Sequence, residues 1–299
     1  MKQHFVPKFY LKGFTKESSI DGKLWVVNLD NRKSWQTTPA QAAREGDFYT
    51  GDIGSGVDPM WLERALGESV EPLMAVVLAF VLDTKEIPPC QCARDGFLTL
   101  VATSLVRGRA MRAFNSTSFD EGIKRTLEEF AKSDDGNAFR KILEESGLSP
   151  DEFSSLNAQG AFQYDFDRIT HLKAMSAQVN IALDAFSRRQ WITRVVADDA
   201  PDLICSDVPV GMIPLAKEVP LLWFDPNVLV VMPLNRRVAA IGAIKHIEQP
   251  EMLSIKQVAR INTSIIGGAT EAYCSEPAFT VLSGKGVQRV EMSASTSLK

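Results

Sequence analysis

The stretch that decides the fold is Lys23-Leu24-Trp25-Val26-Val27-Asn28-Leu29-Asp30-Asn31-Arg32-Lys33-Ser34-Trp35. β-Branched and aromatic residues stand on both sides of the turn pair Asp30-Asn31, a pattern typical of a β-hairpin. Apolar and polar side chains roughly alternate in residues 5–11, which favours a further strand. Thr38-Pro39 predicts a short helix through Arg44, because proline is well placed in a first helical turn. We therefore expect a small N-terminal sheet.

The middle of the chain is predicted to be helical. Apolar residues recur at helical spacing from Asp58-Pro59 to about Leu82, from Gly96 to Phe114 and from Asp167 to Trp191. Residues 118–155 are strongly charged and carry short helical patterns. We expect that segment to be a mobile helical insert or lid.

After Trp191 the pattern changes to short strands. They are predicted at residues 192–196, 202–205, 221–224, 228–232, 238–241 and 279–282, with a helix at 255–267. Strands grouped at both ends around helices disfavour a doubly wound topology. The sequence predicts an α+β fold with a mixed sheet of N- and C-terminal strands packed on the helical middle region. We expect a single domain over residues 1–292 and a disordered tail at 293–299.

Composition and charge exclude several functional classes. The 299 residues are 45% hydrophobic and carry a formal net charge of −4, so there is no global basic field for binding DNA through bulk charge. The longest apolar run, residues 73–82, spans about 15 Å as a helix, too short to cross a bilayer. Lys2, His4 and Pro7 interrupt any apolar signal-peptide core. We expect a cytoplasmic protein with no membrane partner.

Known motifs narrow the chemistry by exclusion. Of the four cysteines, Cys90 and Cys92 stand close together, but their spacing is not that of a zinc or redox motif, and no metal ligands are assigned. The chain lacks the Gly-x-x-x-x-Gly-Lys loop, the Gly-x-Gly-x-x-Gly turn, the Gly-x-Ser-x-Gly elbow and the His-Glu-x-x-His helix. A nucleotide cofactor is therefore disfavoured, and a divalent metal stays open as the cofactor.

Three residues are candidate catalytic groups: His4, Arg107 and Asp207. His4 precedes an apolar segment that would hold its imidazole for acid or base chemistry; the alternative is a strand cap bonded to the backbone. Asp207 follows a predicted strand, where its carboxylate would be a base, a magnesium ligand or an orienter of His4, or else part of a turn. Arg107 lies on an apolar helical face and needs a partner, either a substrate phosphate or a glutamate such as Glu71 or Glu63.

Asn262, Glu71 and His171 are candidate substrate-binding residues. Asn262 lies between Val258 and Ile265 in an apolar helix, which predicts a buried amide that bonds either a loop or a ligand. Glu71 lies on the helix before Arg107, although charges on a helix face are usually solvated. His171 lies on the helix predicted from Asp167.

The opening residues resemble the signature that begins bacterial proteins of the domain of unknown function 4238 family: His4-Phe5-Val6-Pro7-Lys8-Phe9-Tyr10-Leu11-Lys12-Gly13-Phe14. Further matching elements follow in the family's order, namely Asp47-Phe48-Tyr49, Arg107, Arg189-Gln190-Trp191, Cys205-Ser206-Asp207-Val208-Pro209, Met232-Pro233-Leu234 and Ile261-Asn262. Two positions depart from the pattern: Val208 replaces the usual asparagine, and Gly108-Arg109 stands where Thr-Pro is common.

The resemblance implies a protein of bacteria and their mobile elements, with some relatives in anti-phage defence islands. Together with the candidate residues, it leads us to expect a defence or toxin-type effector, a nuclease-like hydrolase acting on a nucleic acid or nucleotide by acid/base chemistry. The alternative is a noncatalytic sensor or protein-interaction module. In that alternative, the same polar groups join the N-terminal strand to the C-terminal sheet.

Overall fold

The computed structural model of the protein describes residues 2–46, 64, 66–133, 137–162, 168–216, 219–245, 251–291 and 293–294. The chain divides into two compact units, a larger one of residues 1–111 and 175–299 and a smaller one of residues 112–174. The fold is α+β, as the sequence predicts. Among the described helices, none is both long enough and apolar enough to cross a membrane.

The helices of the described residues are α1 (Lys8–Leu11), α2 (Glu71–Thr84), α3 (Gln91–Val106), α4 (Arg109–Lys132), α5 (Asn137–Glu145), α6 (Pro150–Ala158), α7 (Arg168–Ser187) and α8 (Ile255–Ile266). A 3₁₀ turn, Lys12–Phe14, follows α1, and a π-helical turn, Leu66–Val70, leads into α2. The predicted helix start at Asp58-Pro59 lies outside the described residues.

The strands are β1 (Lys2–His4), β2 (Leu24–Asn28), β3 (Lys33–Thr37), β4 (Arg44–Gly46), β5 (Gln190–Val196), β6 (Cys205–Ser206), β7 (Gly211–Pro214), β8 (Val228–Asn235), β9 (Val238–Ala243), β10 (Met252–Leu253), β11 (Glu271–Cys274), β12 (Ala278–Ser283), β13 (Gly286–Glu291) and β14 (Ser293–Ala294). The last of these falls at the start of the predicted tail, the remainder of which lies outside the described residues.

Two five-stranded sheets form the frame of the larger unit. The first has the order β14-β3-β2-β11-β6, and it joins the predicted N-terminal hairpin to C-terminal strands. In it, β2 pairs antiparallel with both β3 and β11, and Val26 stands opposite Trp35 on one side and Tyr273 on the other. The second has the order β10-β5-β9-β8-β7. The predicted mixed sheet of N- and C-terminal strands is confirmed.

The main core of the larger unit joins both five-stranded sheets to α8. This helix begins at a capping box, in which Ser254 and Gln257 satisfy each other's backbone N–H groups. Its buried residues Val258, Ile261 and Ile265 recur at helical spacing and belong to one cluster with residues of both sheets. Each such side chain contributes about 1.5–3 kcal/mol when fully buried.

The N-terminal segment differs from its prediction, because residues 5–11 form no strand. β1 ends at His4, and α1 begins after Pro7, whose fixed φ suits the start of a helix. Tyr10, Leu11 and Phe14 are buried at helical rather than alternating spacing. The hydroxyl of Tyr10 also donates a hydrogen bond to a carbonyl of β8. The segment is therefore part of the core.

Three further predictions of local structure were wrong. Thr38–Arg44 makes one turn only, since Ala43 takes a left-handed φ of 50° and the chain enters β4. Residues 221–224 are irregular, and Trp223 and Phe224 pack edge to face with each other instead of pairing in a sheet. The helix predicted over 96–114 is interrupted at Arg107-Gly108.

The smaller unit has a core of its own. It is built on Ala131 of α4, Leu143 of α5 and Phe153 of α6. The ring of Phe153 meets that of Phe139 at 5.2 Å in a T-shaped arrangement. The charged stretch is thus helical, as predicted, while its role as an insert or lid stays a prediction.

Candidate functional site

The break between α3 and α4 brings several predicted site residues together. Arg107 follows the last residue of α3, and its side chain is only 2% exposed. Its Nη1 donates to Glu71 Oε1 at 2.6 Å, and its Nη2 donates to the His4 carbonyl at 2.7 Å. One guanidinium therefore joins α2, α3 and the end of β1. The glutamate partner considered from the sequence is found, and it is Glu71; Glu63 lies outside the described residues.

His4 stands at the end of β1, opposite Arg44 of β4. Its imidazole hydrogen-bonds the backbone of Ala40, and its Nε2 is buried with no hydrogen-bond partner among the described residues. Burial lowers the pKa of His4 below its ordinary value of 6.5, and the nearby Arg107 lowers it further, while Ala40 and Glu71 act in the opposite direction. The lowered pKa favours the neutral form of the ring.

Asp207 follows β6 and is 1% exposed. Its carboxylate accepts hydrogen bonds from the backbone N–H groups of Thr270, at 3.0 Å, and Glu271, at 3.2 Å. Ser206 completes the turn by accepting from the N–H of Val208. Burial raises the pKa of Asp207, and the two N–H donors oppose that rise. The carboxylate ties its turn to β11.

Gly108 places the Asp207 backbone directly against the helix break. A Cβ at position 108 would lie 2.5 Å from the Asp207 carbonyl oxygen, closer than real Cβ contacts allow. Only glycine permits this approach, because any other side chain would push the two backbones apart. Residues 107 and 108 therefore contact His4 on one side and Asp207 on the other.

Arg109 extends the same cluster, and sequence reasoning missed it. Its Nε donates to Glu45 at 2.8 Å, its Nη1 lies 3.9 Å from Glu271, and its guanidinium stacks 4.4 Å from the ring centre of Phe5. The hydroxyl of Tyr273 donates to Glu271 at 2.8 Å. The available signal was the departure from the family pattern at Gly108-Arg109, which places a second cation at the start of α4.

Asn262 and His171 do not join this cluster in the described contacts. The Asn262 side chain is fully buried; its Oδ1 accepts from Ile204 N, and its Nδ2 donates to the carbonyls of Asp202 and Thr280. The backbone of His171 lies in α7, but its side chain lies outside what the structure describes. The assignment of both to substrate binding stays a prediction.

The best-formed cavities among the described residues lie elsewhere. Four cavities of about 80 to 360 Å³ are formed by described residues, and His4, Arg107, Asp207 and Asn262 line none of these four. The largest is apolar and lies between β7 and α8. Among the described residues, no group of three His, Cys, Asp or Glu side chains is placed to hold a metal ion.

The fold and the site together define a class of α+β protein. In this class the break between two helices, here Arg107-Gly108, contacts the N-terminal segment on one side and a mixed sheet on the other. The model of the DUF4238 family, described as a protein of unknown function, matches residues 2–275, and the chain belongs to that family. Comparison with curated proteins and with solved structures gave no match.

Proposed function

We propose that the protein is a noncatalytic sensor or interaction module of a bacterial defence or mobile-element system. The state of Arg107 carries this proposal. Its two terminal nitrogens are directed to Glu71 and to the His4 carbonyl, so the guanidinium holds the fold rather than a substrate phosphate. Asp207 likewise uses its carboxylate on two backbone N–H groups. The biological setting comes from the family resemblance.

A second candidate function is acid/base hydrolysis of a nucleic acid or nucleotide. Two observations at His4 favour it: its Nε2 has no partner among the described residues, and its lowered pKa favours the neutral ring. A neutral imidazole with an unpartnered nitrogen is in the protonation state that a general base requires. His4 would then be the general base, with Arg107 holding its backbone carbonyl.

The substitution His4→Asn separates the two functions. Asparagine keeps an amide donor for the backbone of Ala40 but cannot act as an acid or base near pH 7. Wild-type and His4→Asn proteins would be incubated with labelled single-stranded DNA, RNA and nucleoside triphosphates, with and without Mg²⁺. Both would also be expressed in bacteria challenged with phage.

A noncatalytic module predicts the same background turnover for both proteins, and equal protection or growth inhibition in cells. Turnover that His4→Asn abolishes, at an unchanged melting temperature, would overturn the proposal in favour of the hydrolase. The carboxamide variant Asp207→Asn is the matched companion, because it retains an oxygen that accepts from the same backbone groups.

A further inference from the structure

A polar cavity of about 310 Å³ lies in the larger unit, separate from the cluster at the helix break. Its walls come from the segment before β6, the turn between β8 and β9, the segment from β11 into β12, and β13. The side chains with polar ends that line it are Asp202, Arg236, Ser275, Glu276, Thr280 and Arg289. Its volume is at the lower end of the range for small-molecule sites.

The carboxylate of Asp202 is already satisfied by the protein. It receives Arg236 at 3.1 Å, Arg237 at 3.3 Å and the hydroxyl of Ser275 at 2.7 Å. Because three donors share one carboxylate, Asp202 orients its neighbours and offers little attraction to a further cation. It acts as a brace within the cavity wall.

The two arginines of the wall retain unused donors. Arg236 contacts Asp202 through Nη1 alone, so its Nε and Nη2 have no partner among the described residues. Arg289 stands 3.7 Å from Glu276 and 3.6 Å from Glu291, distances too long for hydrogen bonds. Both guanidinium groups are therefore able to bind an oxyanion with charge-assisted hydrogen bonds.

The charged side chains that line the cavity are balanced, with Arg236 and Arg289 against Asp202 and Glu276. Lys16, which lies 3.3 Å from Glu276, and Arg237 bring the cations to four, against the carboxylates of Asp202, Glu276 and Glu291. The chain as a whole carries −4. The near-neutral cavity differs from the acidic chain, and the unused donors of Arg236 and Arg289 favour an anionic ligand.

Asn262 fixes the backbone of the cavity wall by hydrogen bonds. Its amide bonds the backbone of Asp202, Ile204 and Thr280, and each of these residues lines the cavity. Ile204 and Phe279 add a buried apolar surface beside the arginines. A site with fixed walls, an apolar side and two cationic groups is pre-organised for a small ligand.

We propose that this cavity binds a small phosphorylated molecule, with Arg236 and Arg289 on the phosphate oxygens and the Phe279 side against the rest of the ligand. Phosphate is the best match for two guanidinium groups, because its oxygens accept from both at once. Asn262 is then a positioning residue of a ligand site, although it touches no ligand. The proposal does not depend on whether the cluster at the helix break is catalytic.

The test is calorimetric titration of the full chain with inorganic pyrophosphate, adenosine monophosphate and citrate. Arg289→Gln is the main variant, because this side chain is 61% exposed and makes no hydrogen bond that the fold needs. Arg188→Gln is the matched control: it removes the same charge from an exposed helical pair with Asp184. Melting temperatures of all three proteins would be measured in parallel.

We expect pyrophosphate or adenosine monophosphate to bind the wild type, with affinity reduced about tenfold or more by Arg289→Gln and less than about twofold by Arg188→Gln. Citrate should bind more weakly than either phosphate. The proposal is overturned if neither phosphate binds at millimolar concentration, if both variants weaken binding equally, or if citrate binds as well as the phosphates.

Discussion

Replacing Arg107 by methionine should lower the free energy of unfolding of the larger unit by about 2–3 kcal/mol. The substitution removes two charge-assisted hydrogen bonds, to Glu71 and to the His4 carbonyl, each worth about 1.5–3 kcal/mol. Glu71 is 21% exposed and regains water, so the lower end applies. The buried methionine side chain offsets about 1 kcal/mol of the loss.

Tryptophan fluorescence during urea unfolding measures the free energy of unfolding of the larger unit alone. Every tryptophan of the chain falls within residues 1–111 and 175–299, so residues 112–174 do not contribute to the signal. Glu71→Gln and the double variant complete a double-mutant cycle. We expect Glu71→Gln to cost about 1–2 kcal/mol alone and almost nothing once Arg107 is methionine.

Arg188→Met is the control for the loss of one arginine. Its guanidinium pairs with Asp184 at the surface, and such exposed pairs contribute about 0–1 kcal/mol. The reasoning is refuted if the free energy of unfolding of Arg107→Met lies within about 0.5 kcal/mol of the wild-type value. It is also refuted if the double-mutant cycle shows no coupling between residues 71 and 107.

Four further substitutions or conditions test other parts of the structure. Gly108→Ala should lower the free energy of unfolding in urea by about 2–3 kcal/mol, because the new Cβ would meet the Asp207 carbonyl. Gly67→Ala is the control: its Cβ would have no atom within 4 Å, so it should be neutral or stabilise by up to about 1 kcal/mol. Asn262→Leu should cost at least about 3 kcal/mol in the same assay, since it leaves three backbone groups unpaired, two of them buried; a loss under about 1 kcal/mol would contradict the contacts. Because the pKa of His4 in the folded state lies below 6.5, the folded state binds fewer protons than the unfolded state. The free energy of unfolding should therefore fall as the pH drops below about 6.5, by at most about 1.4 kcal/mol per pH unit. Unfolding curves of His4→Asn should lack this loss. The raised pKa of Asp207 affects stability in the opposite direction. Its contribution to the free energy of unfolding is present at pH values below 3.8 and is lost as the pH rises through the pKa of the folded state. Asp207→Asn should remove this pH dependence.

Much of the fold was predictable because its signals are local. The hairpin of residues 24–37 and the helix α8 show their period and end signals in the sequence, and both form where expected. The strand prediction for residues 5–11 was wrong because four or five alternating residues do not distinguish a strand from a helix, and α1 begins directly after Pro7. β6 and β11 are short, and they pair with each other although more than 60 positions separate them in the chain.

The sequence predicted which residues belong to the site better than it predicted the contacts between them. Arg107 stood out because a cation on an apolar helical face needs a partner, and its partner Glu71 was among those considered. Arg109 does not lie on such an apolar face, so only the departure from the family pattern at Gly108-Arg109 marked it. The contact between Gly108 and Asp207 joins residues 99 positions apart, so no local pattern could reveal it.

The central claim is that Arg107 fastens the N-terminal segment to the helix break rather than binding a substrate. Amide hydrogen exchange of Arg107→Met tests it most directly. We expect the amides of β1, β4 and Phe5, which bonds the carbonyl of Ala43, to lose protection, while those paired between β8 and β9 keep it. Unchanged protection in β1 and β4 would contradict the claim.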